Sequence, residues 1–140
     1  MRCVDIYYKP ISGSGKQMIN YVCKYAPVEL FKGFGQECAV LEEMPENFDK
    51  SDKIAHANLC GFGKSVIQAV LEGKVEELVL VNCCDSMRRV YDIIENTKKC
   101  KFLYMLDLPH EDNECENIKF AQSILRLKKA YERYSHRTFD

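Results

Sequence analysis

Residues 81–92, VNCCDSMRRVYD, set two adjacent cysteines between an apolar run, EELVLVN, and an amphipathic segment that opens on an acid. Sulfur at the junction of a strand and a helix is well placed for chemistry. The first turn of a helix offers unpaired N–H groups and the positive end of a dipole, which stabilise a thiolate or an anionic set of thiolates and sulfides. The segment 58–65, NLCGFGKS, repeats the arrangement, with Cys60 before Gly61-Phe62-Gly63 and a helical pattern. Gly61 and Gly63 would leave room for backbone to approach a bulky inorganic group. Neighbouring side chains on a strand point to opposite faces, so Cys83 and Cys84 are not expected to serve one purpose. Asp85, directly after them, has the chemistry of a helix N-cap.

Eight cysteines in 140 residues is a high count, and the N-terminal MRCVDIYYKP lacks the apolar core of an export signal. The thiols are therefore expected reduced, in a cytoplasmic protein, with part of the set given to metal, cluster or redox chemistry. Others serve as small core residues, the role expected of Cys38 in ECAVL and Cys100 in KCKFLYML. Cys3 and Cys115 have no companion at ligand spacing, and the absence of any CxxC argues against a zinc knuckle or a thioredoxin-like site. Two buried free thiols at strand ends are the plainer alternative for Cys60 and Cys84.

NLCGFGKS also invites a nucleotide reading, being one residue short of GxxxxGK[ST], with Asn58 in place of the first glycine. That glycine permits the sharp turn around the phosphates, and asparagine replaces it imperfectly. FLYMLD (102–107) resembles the apolar strand whose aspartate holds magnesium, yet the defect at Asn58 makes nucleotide binding the less favoured reading. SGSGKQ (12–17) lacks both the first glycine and the Ser/Thr.

Holding sulfur at such junctions requires strands that end where helices begin, and the chain supplies them. CVDIYY (3–8) reads as a strand, followed through PISGSG by a helical pattern in QMINYVCKYA. A short helix is expected in PVELFKGF, with Pro27 at its start and Gly35 as its stop. ECAVLEE (37–43) reads as a second strand and DKIAHAN (52–58) as a weaker third. GKSVIQAVLEG (63–73) carries Val66, Ile67, Val70 and Leu71 on one helical face, and VEELVLVN (75–82) is the strongest strand. DSMRRVYDIIENT is its helix; KFLYMLDLP (101–109) is a further strand before a long helix near 113–134. Strands alternating with helices at this pitch imply βαβ units. The fold expected is one α/β domain over 1–140, an open, mostly parallel sheet of four or five strands with helices on both faces. Were strands 52–58 and 75–82 neighbours, the sulfurs of Cys60 and Cys84 would lie roughly 5–10 Å apart.

The bulk numbers agree with a globular domain: 46% hydrophobic and 29% charged residues, with 20 basic and 21 acidic side chains mixed along the chain. The resulting net charge of −1 carries no basic stripe for nucleic acid, and no apolar run reaches the length of a membrane span.

YVCKYAPVELFKGFGQECAVLEE, HANLCGFGKSVIQAVLEG, LVLVNCCDSMRRVYDII and FLYMLDLPH occur in the order and spacing of the 2-hydroxyacyl-CoA dehydratase family, which includes benzoyl-CoA reductase subunits and double-cubane cluster proteins. The chain resembles the N-terminal, cluster-ligating half of those larger subunits from about residue 18 onward. The most specific elements are the cysteine of NLCGFGKS, the CD of NCCDSMRR and the end of LDLPH.

The resemblance implies an anaerobic lyase chemistry on a CoA thioester. Cys60 and Cys84 would be ligands of a 4Fe–4S cluster, with Cys83 as a less secure third and Gly61, Gly63 and Asp85 as its surroundings. Cys84, aligned with the family's CD, is expected to be the principal ligand of the pair, with Cys83 turned aside into packing. Electrons would come from an ATP-hydrolysing iron–sulfur activator protein, and an acyl-CoA would be the substrate. The extra Cys83 departs from the usual Thr-Cys-Asp form and raises the alternative of a double-cubane reductase or electron-relay module without dehydratase activity. Family subunits are more than twice this length, with a second α/β domain that supplies a remaining cysteine. A second domain or subunit is therefore implied as a partner, and the isolated chain is expected to fold, to hold an incomplete cluster or none, and to be inactive. His56, Lys64, Arg88 and His110 flank these positions as candidate substrate or partner contacts; a structural hydrogen bond is the plainer role for each histidine.

Overall fold

Four short strands form one all-parallel sheet in the computed structural model, which describes residues 18–23, 25–41 and 45–138. The elements run β1 (Met18–Tyr21), α1 (Val28–Gly33), β2 (Glu37–Val40), a 3-10 turn at Ser51–Lys53, α2 (Gly61–Leu71), β3 (Glu77–Val81), α3 (Asp85–Thr97), β4 (Phe102–Leu106) and α4 (Glu114–Ser135). The strand order is β2-β1-β3-β4. Ile19 of β1 stands in register between Cys38 of β2 and Glu77 of β3, and Val81 pairs with Leu106 at the far end of β3 and β4.

Every residue of β3 is buried, which is why its sequence is a continuous apolar run after the opening glutamate. Alternation divides it between two cores. Leu78 and Leu80 pack with Val66, Ile67 and Val70 of α2 and with Met87, Val90 and Ile94 of α3. Val79 and Val81 pack with Ile19, with Leu30 and Phe31 of α1, and with Leu127 and Tyr131 of α4. Each such side chain contributes about 1.5–3 kcal/mol of burial. Two helices on each face make the expected three-layer α/β fold.

Glycine and its substitutes end the helices where the sequence indicates. Gly35 and Gly73 take positive φ after α1 and α2, and Lys98 and His136 adopt the same left-handed turn at the ends of α3 and α4. Pro27 is the N-cap of α1, one place earlier than expected.

Two expectations are corrected. Part of the helical pattern in QMINYVCKYA is instead β1, a strand paired on both sides. A run this short, with β-branched and aromatic residues at Ile19, Tyr21 and Val22, satisfies either period, and burial of Ile19 in the sheet decides it. The segment 52–58 is no strand: it begins inside the 3-10 turn and runs irregularly to Cys60. Its polar groups are met locally and from α2. The buried Gln68 accepts from Ser51 N at 2.9 Å and Lys50 N at 3.1 Å, while Ala55 N donates to Ser51 O at 2.8 Å. With only Ile54 as a β-branched apolar residue, the segment has no alternating face to bury. The second strand closes at Val40, and both the expected strand 3–8 and Cys3 lie outside the described residues.

Candidate metal centre

The strand order reverses between β1 and β3. The connection from β1 passes over one face through α1 to β2, and the connection from β2 returns over the other through α2 to β3. The two loops leaving the carboxyl ends of β1 and β3 therefore diverge to opposite faces, opening the crevice in which sheets of this kind hold ligands. Cysteines occupy both sides of it. Cys23 follows β1 and is half-buried, with its carbonyl accepting from Ala26 N at 2.9 Å in a tight turn. Cys83 and Cys84 follow β3 and are exposed.

Cys84 is the N-cap of α3, and Asp85 is the first helical residue, one position later than its expected capping role. The carboxylate still lies in the first turn, where it favours the helix dipole. Cys83 does not turn into packing. It stands close enough to Cys84 and Cys23 that their negative potential, after partial desolvation of its own sulfur, holds its thiol above the ordinary range. Cys23, Cys83 and Cys84 thus all follow the strands that flank the switch point, and Cys23 is the one that sequence reasoning missed. Its signal was the same as for Cys84, a cysteine just past a strand, hidden by reading β1 as helix.

Cys60 belongs to the same edge by a different route than expected. The helices between parallel strands run antiparallel to them, so α2 starts at the carboxyl edge, beside α3 on one face. Cys60 is the N-cap of α2, and its Sγ accepts from Gly63 N at 3.3 Å. A Cβ on Gly63 would meet Val90 Cγ2 of α3 at 3.0 Å and Leu59 Cγ at 3.3 Å. The glycine lets α2 and α3 approach closely here; Gly61 has nothing within 4 Å of such a position.

Asn82 was also missed. Its Nδ2 donates to Asp107 Oδ1 at 2.9 Å, its Oδ1 accepts from Leu108 N at 2.8 Å, and its own N donates to Leu106 O at 3.1 Å. This residue clamps the end of β4 to the end of β3, immediately before the cysteine pair. An asparagine closing an apolar strand was the available cue.

The remaining candidates stand around the rim. Lys64 is tied to Asp52 at 3.1 Å, and Ser65, buried, donates to Gly61 O at 2.8 Å within its own helix. Both groups a phosphate-binding loop would offer are so engaged. His56 is exposed, with Nδ1 accepting from Asn58 N at 3.1 Å. His110 is exposed and donates its backbone N to Glu116 Oε2 at 3.4 Å; Arg88 is exposed on α3. Cys38 and Cys100 have the packing role expected of them. Burial pushes their thiols up to about 12 and about 11.

Thiols on helix N-termini suit an iron–sulfur group in kind. They do not make a complete set: among the described residues, no three His, Cys, Asp or Glu side chains come together as metal ligands. No helix among those residues is long and apolar enough to cross a membrane. No curated protein matches the chain. The family model of the 2-hydroxyglutaryl-CoA dehydratase D-component matches residues 23–140, a span that opens on Cys23 and takes in the crevice, α2, α3 and α4. The chain belongs to the 2-hydroxyglutaryl-CoA dehydratase D-component family.

Proposed function

We propose that this chain is the cluster-ligating domain of a 2-hydroxyacyl-CoA dehydratase-like protein, served with electrons by an ATP-hydrolysing activator. The observation that carries the reading is the collection of thiols at the β1/β3 switch point and at the starts of α2 and α3. Cys84 and Cys60 are the ligands of first choice, each at a helix start where N–H groups and the dipole favour negative sulfur. When bound, the cluster would supply one-electron reduction and a Lewis-acidic iron for a thioester carbonyl. The protein's own part is to hold those sulfurs at an edge whose loops are pinned by Asn82 and by the Gly63–Val90 contact. Lys64 is committed to Asp52, which leaves Arg88 as the better cation for a CoA phosphate or a partner's carboxylate.

A second reading has its own observation. Cys83 lies near both Cys84 and Cys23, and a cluster larger than one cubane would use such extra thiols. That favours a double-cubane reductase or electron-relay module.

Iron and acid-labile sulfide, measured in the anaerobically reconstituted full assembly, separate these readings from nucleotide binding. Cys84→Ala and Cys60→Ala should each remove at least half of the bound iron, with Cys83→Ala and Cys23→Ala removing less. Greater loss from Cys83→Ala would favour the larger cluster. Absence of iron in the wild-type assembly, together with tight ATP binding lost in Lys64→Ala, would overturn the assignment.

A further inference from the structure

We propose that α4 pairs with α4 of a second copy of this chain, the two helices lying antiparallel about a two-fold axis near Ala121 and Gln122. No residue of the cysteine edge takes part and no metal is needed, so the pairing is independent of the cluster reading. Its basis is a helix that is apolar on two sides. Phe120, Ile124, Leu127, Tyr131 and Tyr134 pack toward the sheet. On the other side Ile118 and Leu125 are each 53% exposed, with exposed Ala121 between them. At 3.6 residues per turn both lie roughly 160–180° around the helix from Leu127, in the middle of the face that a surface helix normally gives to water.

Large hydrophobic residues exposed singly are ordinary. Among the five exposed in the described residues, Ile118 and Leu125 are the two that share an element, seven apart on one row. The first half of the helix also lacks packing of its own: no residue of 114–122 is fully buried, and burial begins at Ser123. Helical stretches draw most of their stability from packing, and a second helix laid along the row would supply it. Ala121, small and central, lets the two axes approach closely.

Charge selects the occupant and its direction. The first turns of α4 and their lead-in carry Glu111, Asp112, Glu114 and Glu116, with one base, Lys119. The later turns carry Arg126, Lys128, Lys129 and Arg133, with one acid, Glu132. Each odd charge is already held within its own half, Lys119 by Glu116 at 2.9 Å and Glu132 by Lys128 at 4.0 Å. What remains is acid at one end and base at the other. A parallel copy would set like against like; an antiparallel copy sets each acidic end against a basic one, as a self-complementary two-fold interface requires. With the axis between Ala121 and Gln122, Ile118 meets Leu125 of the other copy and Glu114 meets its Lys129, each twice. A partner of one charge sign would be repelled by half of the helix. With a net charge of −1, long-range repulsion between two copies is negligible.

One helix face on each side buries about 1,200 Å² or less, the range of weak reversible pairs, so dissociation in the micromolar range is expected. Sedimentation equilibrium of the full chain, metal-free and kept reduced, from low micromolar to several hundred micromolar, is the test. The mass should rise with concentration from 16.2 kDa toward twice that value. Leu125→Glu sets a carboxylate into the apolar row and should weaken the dimer roughly a hundredfold or more, with an unchanged far-UV circular dichroism spectrum because the site is exposed. Where that spectrum does change, Ile118→Ser/Leu125→Ser must show the loss instead. Lys129→Glu should weaken the dimer roughly three- to tenfold, because two exposed pairs reverse sign, and adding Glu114→Lys to the same chain should restore it. A chain that stays at 16.2 kDa throughout refutes the pairing. So does a dimer that persists when the apolar row is made polar, or one that is indifferent to Lys129→Glu or not restored by Glu114→Lys.

Discussion

Asn82→Ala is the sharpest probe of how the fold holds the cysteine edge. The substitution removes the acceptor for Leu108 N and the donor to Asp107 Oδ1, while the backbone bond from Asn82 N to Leu106 O survives. The Leu108 bond is partly buried and short at 2.8 Å, so its loss should cost about 1–1.5 kcal/mol; the Asp107 carboxylate is exposed and adds only about 0.5 kcal/mol. The sum, about 1.5–2 kcal/mol, corresponds to a fall in Tm of roughly 4–7 °C for a domain of this size. Because the lost bonds lie between the β3 end and the β4 end, reconstituted iron should fall along with stability. Asn82→Asp sharpens the test. It keeps an acceptor for Leu108 but sets a second carboxylate against Asp107, and like charges at that distance resist ionising together. Its deficit against wild type should be larger at pH 7 than near pH 4 and should exceed that of Asn82→Leu, which lacks the second charge. Urea denaturation across that range, with iron analysis, measures both. An Asn82→Ala protein within about 0.3 kcal/mol of wild type, with undiminished iron, would show that the clamp is incidental, since that is below the smallest net hydrogen-bond contribution.

Other outcomes follow from the two cores and the edges. Glu77 is only 2% exposed; its Oε1 accepts from Tyr134 Oη at 2.8 Å and its Oε2 has no hydrogen-bond partner, so Tyr134→Phe should cost about 1–3 kcal/mol by urea denaturation. Glu77→Gln in that background should recover part of the loss. Cys38 and Tyr131 are each raised to about 12 by burial, from 9.0 and 10.0. A raised folded value means that the folded state keeps the proton longer. The stability is therefore full below 9.0, and it erodes as pH climbs through that window toward about 12, visible as a falling urea midpoint that Cys38→Ala makes shallower. Alkylation mapped by mass spectrometry at pH 8 should leave Cys38 roughly 1,000-fold slower than an ordinary thiol, from its thiolate fraction alone. Gly63→Ala should destabilise by about 1–2 kcal/mol, because the new methyl presses on Val90 against the helix-propensity gain.

The alternation of strands and helices was legible because the long elements are periodic. β3 is apolar throughout after Glu77, and α3 repeats Met87, Val90 and Ile94 on one face. Short elements were not. MINY at β1 satisfies two periods, and its pairing with both β2 and β3 is a tertiary fact. The segment 52–58 was misread for a related reason: the Gln68 side chain that organises its start comes from α2, about one and a half dozen residues on. Cys60 and Cys84 were legible as helix-start thiols from local sequence alone. Cys23 and Asn82 were not, because their relevance depends on which strands are neighbours. Asp107 pairs with Asn82 across 25 positions of chain, a separation no local pattern encodes.

The bond from Gly63 N to Cys60 Sγ has a consequence for whatever occupies this edge. A sulfur that already accepts a hydrogen bond has lower electron density to give, so an ion attached to it is easier to reduce than one on an unbonded thiolate. The coupling runs both ways. Alkylating Cys60 weakens the acceptor and oxidising it puts oxygen in place of sulfur, so the bond from Gly63 N changes with either. The exchange rate of the Gly63 amide proton is thus a spectroscopic gauge of the chemical state of the Cys60 sulfur, readable by NMR without any substrate present.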